Sequence, residues 1–453
     1  MANLPSEIIT SILSRLPVKS LLRFKCVSKT WNSLISSPHL IALHLTQSLT
    51  SNNRLLILNY GSHLEFTPLL LCSDSEAKTS RFDLPAFVSG YDVSVCGSCN
   101  GLLALVCKNG DDPSLLEVIL WNPSTKSHLV LPPTPNDDDD DDLAKEFLGF
   151  SFGFGYDCSN DDYKIVRIVD YFHPKDDSDA GTNGDNENGS DGENEDGDND
   201  DDGENEDDED EDDGDGNDRH KWGFIFREIM VYSLRKNSWE KIHFTFFGDK
   251  MEWVCPGAVI NNHIVHWIFW DYIKRKPHLR AFDLISSNWT KLPLPDFMGN
   301  HKTDCPSDEE EESSFSNSEF EPNDFIVLGV LDECLCLVTR ICPKFDNVYV
   351  WVMKEYGVKE SWTKLFDFTE ATIIGPLLSA PLACCKDGDE VLLRKENDDG
   401  ICCYDMKEKT VKDVPKLPNR LKVCDINVCV ESLVPVAKMI DGSYQRLGDT
   451  NGG

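Results

Sequence analysis

LPSEIITSILSRLPVKSLLRFKCVSKTWNSLISSPHL, residues 4–40, reads as a run of short helices set ahead of a chain otherwise patterned as strands. Behind Leu4-Pro5, Ser6 is placed to cap a helix in which Ile8, Ile9, Ile12, Leu13 and Leu16 recur at helical spacing. Pro17 stops that helix, because proline lacks the backbone donor and its ring clashes with the preceding turn. Val18, Leu21, Leu22 and Cys26 mark a second short helix. Ser28 caps a third, carrying Trp31, Leu34 and Ile35, which Ser37-Pro38 closes. Three helices of this length bury too little surface to stand alone. Their apolar residues fall on more than one face, so the block is expected to dock on a partner. His39 to Gln47 is a helix-compatible stretch that leads to the next domain.

From Arg54 onward the texture changes to short apolar runs divided by Gly, Pro, Asn and Asp, the pattern of an all-β domain. A unit recurs in it: an aromatic or apolar strand, a polar turn, then often Trp and Leu. It appears as VILWNPSTKSHLVLP (118–132), IMVYSLRKNSWEKI (229–242), LRAFDLISSNWTKLPLP (279–295), VYVWVMKEYGVKESWTKLF (348–366) and ICCYDMKEKTVKDV (401–414). LLLCSDSEAKTSRFDLP (69–85) is a weaker copy. The anchors are Trp121, Tyr232, Phe282, Trp351 and Tyr404. Once the acidic insertions are removed their spacing is roughly fifty to sixty residues, which suits one four-stranded propeller blade per repeat. Hairpins such as VSVCGSCNGLLALV (93–106) and PGAVINNHIVHWIF (256–269) fill the intervals. The expected fold is therefore α + β and multidomain: a three-helix block, then a six-bladed β-propeller-like domain. A β-sandwich or incomplete barrel is the alternative. The expected boundaries are 1–45 for the block, 46–53 for a linker, 54–435 for the β-domain and 436–453 for a disordered tail.

The chain has 453 residues and a formal charge of −37, but the charge is concentrated. Residues 176–218 hold 24 Asp or Glu and no Lys or Arg, Asp137–Asp142 add six and Asp308–Glu312 five, which leaves −2 for the remainder. The body is nearly neutral, so no basic surface suggests nucleic-acid binding. The stretches 137–142, 176–218 and 303–324 are expected to be disordered insertions, since they cannot bury apolar surface. No leader and no apolar run of membrane-spanning length is apparent. Seventeen cysteines in such a chain point to reduced thiols, and so to cytoplasm or nucleus.

Three patterns suggest chemistry and are set aside. Gly149-Phe150-Ser151-Phe152-Gly153 matches the G-x-S-x-G nucleophile elbow, but it continues into GYDCSNDDYKIVRIV, a turn and a strand rather than a helix. Ser151 is expected in mid-strand. Asp198, Asp200, Asp202, Gly203 and Glu209 satisfy an EF-hand loop without the flanking helices that would shape it. Cys96 and Cys99 form a single C-x-x-C with no second pair to complete a zinc site. No catalytic residue, metal or cofactor is expected.

The residues also resemble known families. Leu4-Pro5-x-Glu7-Ile8, Leu13-x-x-Leu16-Pro17-x-x-x-Leu21 and Val27-Ser28-x-x-Trp31 are similar to an F-box. WNPST, GFGYD…DDYK and LRAFDL…W resemble the type 1 F-box-associated domain of plant F-box proteins, which include the S-locus group and are kelch-like. The Gly-Gly pair of true kelch repeats is missing. The first resemblance implies a Skp-type linker subunit, and through it a cullin, as partners. It also implies that Leu4, Pro5, Ile8, Leu13, Leu16, Pro17, Leu21, Val27 and Trp31 are linker-facing or core positions. Together they imply a non-catalytic substrate receptor of an SCF-type ubiquitin ligase with an unknown protein target. The alternative is an acidic binding or chaperone protein acting outside the ligase.

Overall fold

The computed structural model describes residues 5–50, 54–60, 63–68, 80–82, 88, 90–108, 116–135, 146–173, 224–242, 251–253, 258–271, 276–295, 326–342, 345–369, 381–384, 389–394, 401–413, 425–436, 439–440 and 443–444. The acidic stretches and the EF-hand-like match lie outside them, as does most of the expected tail.

Four helices open the chain: α1 (Ser6–Leu13), α2 (Val18–Phe24), α3 (Lys29–Ile35) and α4 (Pro38–Thr50). Pro5, not Ser6, holds the cap position of α1, and Pro17 holds that of α2. Ser28 caps α3 as expected, its Oγ accepting from the Trp31 amide at 3.1 Å. The block has four helices rather than three. Ser37-Pro38 opens a helix as well as closing one: Ser37 Oγ accepts from the Leu40 amide at 3.3 Å, and proline at the first helical position loses no bond.

Six antiparallel sheets follow, each the blade of a propeller. Blade 1 holds β1 (Arg54–Asn59), β2 (Leu64–Pro68) and β3 (Ser80–Phe82). Blade 2 holds β4 (Asp92–Cys99), β5 (Leu102–Lys108), β6 (Leu116–Asn122) and β7 (Ser127–Val130). Blade 3 holds β8 (Glu146–Asp157), β9 (Asp162–His173), β10 (Phe224–Ser233) and β11 (Ser238–Lys241). In blade 4 the first strand is split into β12 (Met251–Trp253) and β13 (Ala258–Ile260), both paired with β14 (Ile264–Asp271), which is followed by β15 (Lys276–Asp283) and β16 (Asn288–Leu292). Blade 5 is β17 (Ile326–Leu331), β18 (Cys334–Cys342), β19 (Phe345–Met353) and β20 (Trp362–Thr369). Blade 6 is β21 (Ala383–Cys384), β22 (Glu390–Arg394), β23 (Ile401–Asp405) and β24 (Thr410–Asp413). The last long strand, β25 (Asp425–Val430), returns to pair with β1 and completes blade 1. A closed ring of this kind leaves few strand edges open to a neighbour. A two-residue ladder, β26 (Met439–Ile440) with β27 (Ser443–Tyr444), follows.

First strands neighbour one another around the axis: β25 with β4, β4 with β8, β8 with β13 and β13 with β17. Glycines permit the tightest of these approaches. A Cβ on Gly155 would overlap the Asn262 carbonyl oxygen and Leu284, and one on Gly153 would overlap Val265 and Trp267. The five anchor residues all fall on third strands (Trp121 on β6, Tyr232 on β10, Phe282 on β15, Trp351 on β19, Tyr404 on β23), so the repeat was read in phase. In blade 1 the third strand is β2, just ahead of the weaker copy.

Because the pairing is antiparallel throughout, the turns between first and second and between third and fourth strands gather at one end of the ring. Gly101 in the first turn of blade 2, and Asn122 at the end of its third strand, both meet Ser432 just beyond β25, which marks this as the end carrying the helices. The remaining loops belong to the far end. The connections that contain 137–142 (Val130 to Glu146), 176–218 (His173 to Phe224) and 303–324 (Leu292 to Ile326) all leave from there.

Candidate docking surface of the helical block

Helix α1 divides its apolar residues between two stripes. Ile9 and Leu13, one turn apart, face the core of the block, whereas Ile8 and Ile12 are 46% and 50% exposed. An i, i+4 pair shares one helix face, so the outward pair forms its own apolar stripe. Leu13, Val18, Leu21, Ile35 and Leu40 are fully buried together, with Leu16, Phe24 and Trp31 half-buried around them. Trp31 meets Phe24 edge to face, centroids 5.3 Å apart.

The residues singled out in the sequence therefore separate. Pro5, Ile8, Pro17 and Val27 point outward, Val27 at 65% exposure. Leu13 and Leu21 are core, and Leu16 and Trp31 support it. Leu4 lies outside the described residues. Ile12 joins the outward set; its signal was the four-residue spacing from Ile8.

One core member has no counterpart in the sequence reading. Leu433, 420 positions beyond Leu13, is buried inside the helical block. Its neighbours Val434 and Val436 pack instead with Ile41 and Leu45 of α4 against blades 2 and 3. Asn122, the Asn of WNPST, organises this segment. Its Nδ2 donates to the carbonyls of Ser432 (3.2 Å) and Val434 (2.8 Å), while its Oδ1 accepts from the amides of Ser124 and Thr125. The side chain is fully buried and its hydrogen-bonding capacity is spent. His44 of α4 bonds the Leu16 carbonyl oxygen through Nε2 at 3.1 Å, and burial lowers its pKa. The helices are thus closed on one side by the chain itself and open on the other.

A family model for the F-box domain matches residues 1–43. An F-box/kelch-repeat protein of Arabidopsis thaliana is 37% identical over 385 residues, covering 82% of this chain and 80% of that protein. The chain belongs to the F-box proteins. The F-box protein CPR1 of Arabidopsis thaliana is 28% identical over 456 residues, covering 96% of this chain and 88% of its own length. A further Arabidopsis thaliana F-box protein is 28% identical over 422 residues, with 91% and 85% coverage. The match thus extends through the propeller that the F-box carries.

Two of the three patterns that suggested chemistry fall on strands. Ser151 sits in mid-strand on β8, fully buried, and its Oγ accepts from Trp267 Nε1 at 2.9 Å. Cys99 is buried on β4, which pushes its thiol up to about 12, and Cys96 stands half-buried on the same strand. Among the described residues, no helix is long and apolar enough to cross a membrane.

Proposed function

We propose that this chain is the substrate-receptor subunit of an SCF-type ubiquitin ligase. The F-box binds a Skp-type linker subunit, and through it a cullin, while the propeller holds a protein target. Such a subunit does no bond chemistry. It raises the effective concentration of target lysines beside a ubiquitin-charged enzyme.

The observation that carries this reading is the outward apolar set of the F-box. Ile8, Ile12 and Val27 remain exposed although α4 and Leu433 close the block's other side. Apolar side chains left in water on a helix face are the usual mark of a protein contact. The test is co-purification with a purified Skp-type linker. Ile8→Asp combined with Val27→Asp is expected to weaken binding by more than tenfold with the melting temperature unchanged. Undiminished binding by that double variant would remove the reading.

A further inference from the structure

We infer that residues 431–436 form a strap that couples linker docking on the F-box to closure of the propeller ring, with Leu433 as its positioning residue. This coupling builds on the linker-docking reading above: a partner held on the helices is felt in the ring.

One ladder closes the ring. β25 pairs with β1 from Asn59↔Asp425 to Arg54↔Val430, and the last of these pairs stands at the helix end. Both chain segments that join F-box and propeller leave from that pair. α4 ends at Thr50, four residues before Arg54, and Leu433 comes three residues after Val430.

The strap is held on both sides. Ser432 is fixed to blade 2, its carbonyl accepting from Asn122 Nδ2 at 3.2 Å and its amide donating to Ser124 Oγ at 3.4 Å. The Val434 amide donates to Ser432 Oγ at 3.3 Å, and the Val434 carbonyl accepts from Asn122 as well. A Cβ on Gly101 would overlap both Ser432 and the Val430 carbonyl oxygen, so blade 2 abuts the strap and the end of β25 together. Leu433 goes the other way, into the core that Leu13, Val18, Leu21, Ile35 and Leu40 form.

Helix α1 carries the effect across the F-box. Ile8 and Ile12 lie exposed on its outward stripe, whereas Ile9 and Leu13 pack in the core that receives Leu433. Helices of seven or eight residues are marginal in water and take their order from packing. A partner that clasps Ile8 and Ile12 therefore steadies the site of Leu433. Three residues span at most about 11 Å, so anchoring Leu433 restrains Val430, and releasing it frees the end of the closing ladder. Such ends are where local opening begins. Coupling of this kind is reciprocal: the factor by which a docked linker favours the closed ring is the factor by which the closed ring favours the linker.

The experiment is amide hydrogen exchange on the full chain, with and without a purified Skp-type linker. The linker is expected to slow exchange in α1 and α2 and, at least threefold, in β1 and β25, while β14 and β15 of blade 4 stay unchanged. Leu433→Ala is expected to weaken linker binding at least tenfold and to abolish the response of β1 and β25, and Leu433→Met to restore both. A leucine that merely filled space would not make those strands answer to a partner on the outward face of α1. In the free protein, Leu13→Ala, a change outside the propeller, is expected to speed exchange in β1 and β25, with blade 4 again unchanged. A linker that protects the helices without slowing β1 and β25 would overturn the proposal, as would a Leu13→Ala protein in which those strands exchange as in wild type. Failure of wild type to bind the linker at all would remove the ligase reading and the coupling with it. That result is told apart from the others because the helices then gain no protection.

Discussion

Asn122 and His266 show what single buried polar residues do here. Asn122→Asp keeps the acceptor for Ser124 and Thr125 but turns a carboxylate oxygen toward the carbonyls of Ser432 and Val434, which have only lone pairs to offer. Leaving buried groups unsatisfied costs about 1–3 kcal/mol each. This near-isosteric change is expected to lower the melting temperature by several degrees, and Asn122→Ala comparably. Calorimetry on the three proteins checks it. His266 is fully buried, with Nδ1 3.0 Å from the Ala258 carbonyl and Nε2 2.8 Å from Tyr356 Oη. A carbonyl can only accept, so Nδ1 carries the proton and Nε2 accepts from the tyrosine. Burial drops the His266 pKa to about 4, while Tyr356 is pushed up to about 12 and stays neutral. The unfolded chain therefore binds the proton first. The contribution to stability is complete above about pH 6.5 and is lost as pH falls toward about 4, by up to about 3 kcal/mol. Urea unfolding of His266→Asn across that range should show a flatter pH dependence than wild type. An identical slope would refute the assignment.

At the scale of elements, the repeat was legible because its parts are local. The aromatic anchor, the following Asn or Asp and a left-handed residue at the turn's end recur as Trp121-Asn122…Lys126, Phe282-Asp283…Ser287 and Tyr404-Asp405…Lys409. The polar side chain caps the turn each time: the Asp283 carboxylate accepts from the Ile285 amide, and that of Asp405 from the Lys407 and Glu408 amides. The recurring Trp and Leu-Pro also have a shared physical meaning. Trp239 donates to the Pro132 carbonyl at 2.8 Å and Trp362 to that of Pro293 at 2.9 Å, so the fourth strands of blades 3 and 5 are each pinned to the end of the blade before it. Contacts between inner strands were not legible, because they join residues tens to hundreds of positions apart. The glycines of GFSFGFGYD entered the sequence reading as a nucleophile-like pattern and as part of a family motif, whereas the use of Gly153 and Gly155 is close approach. Gly155→Ala is expected to destabilise the chain by about 1–3 kcal/mol, because the added methyl meets backbone that cannot turn aside. Chemical denaturation measures this directly, and an unchanged midpoint would contradict the packing between blades 3 and 4.

For the whole molecule, the acidic stretches are expected to be energetically separable from the folded ring. The backbones of His173 and Phe224, which bound the longest insertion, are paired across β9 and β10. The closure of that loop is therefore already secured by the sheet. Deleting 176–218 moves the formal charge from −37 to −13, yet loop-closure entropy varies slowly with length. The melting temperature is expected to change by no more than a few degrees, and a collapse would mean that the stretch holds the blades. The F-box was legible from its own helices, and the ring from its period. The tie between them was not, because Leu433 carries no local signal: one leucine after a strand looks like any other until the ring closes and brings it to α1.

That tie has a consequence for synthesis. The F-box leaves the ribosome first, but Leu433, which completes its core, follows almost four hundred residues later. At about 5–20 residues per second the helices wait roughly 20–80 s for it. Until then β1 has no β25 to pair with, and blade 1 is unfinished at the same moment as the F-box. A nascent or prematurely stopped chain thus lacks both the closed ring and the finished docking block. One late segment, β25 and Leu433, thus completes both the core of the helices and the first blade of the ring, so both close at the same moment of synthesis.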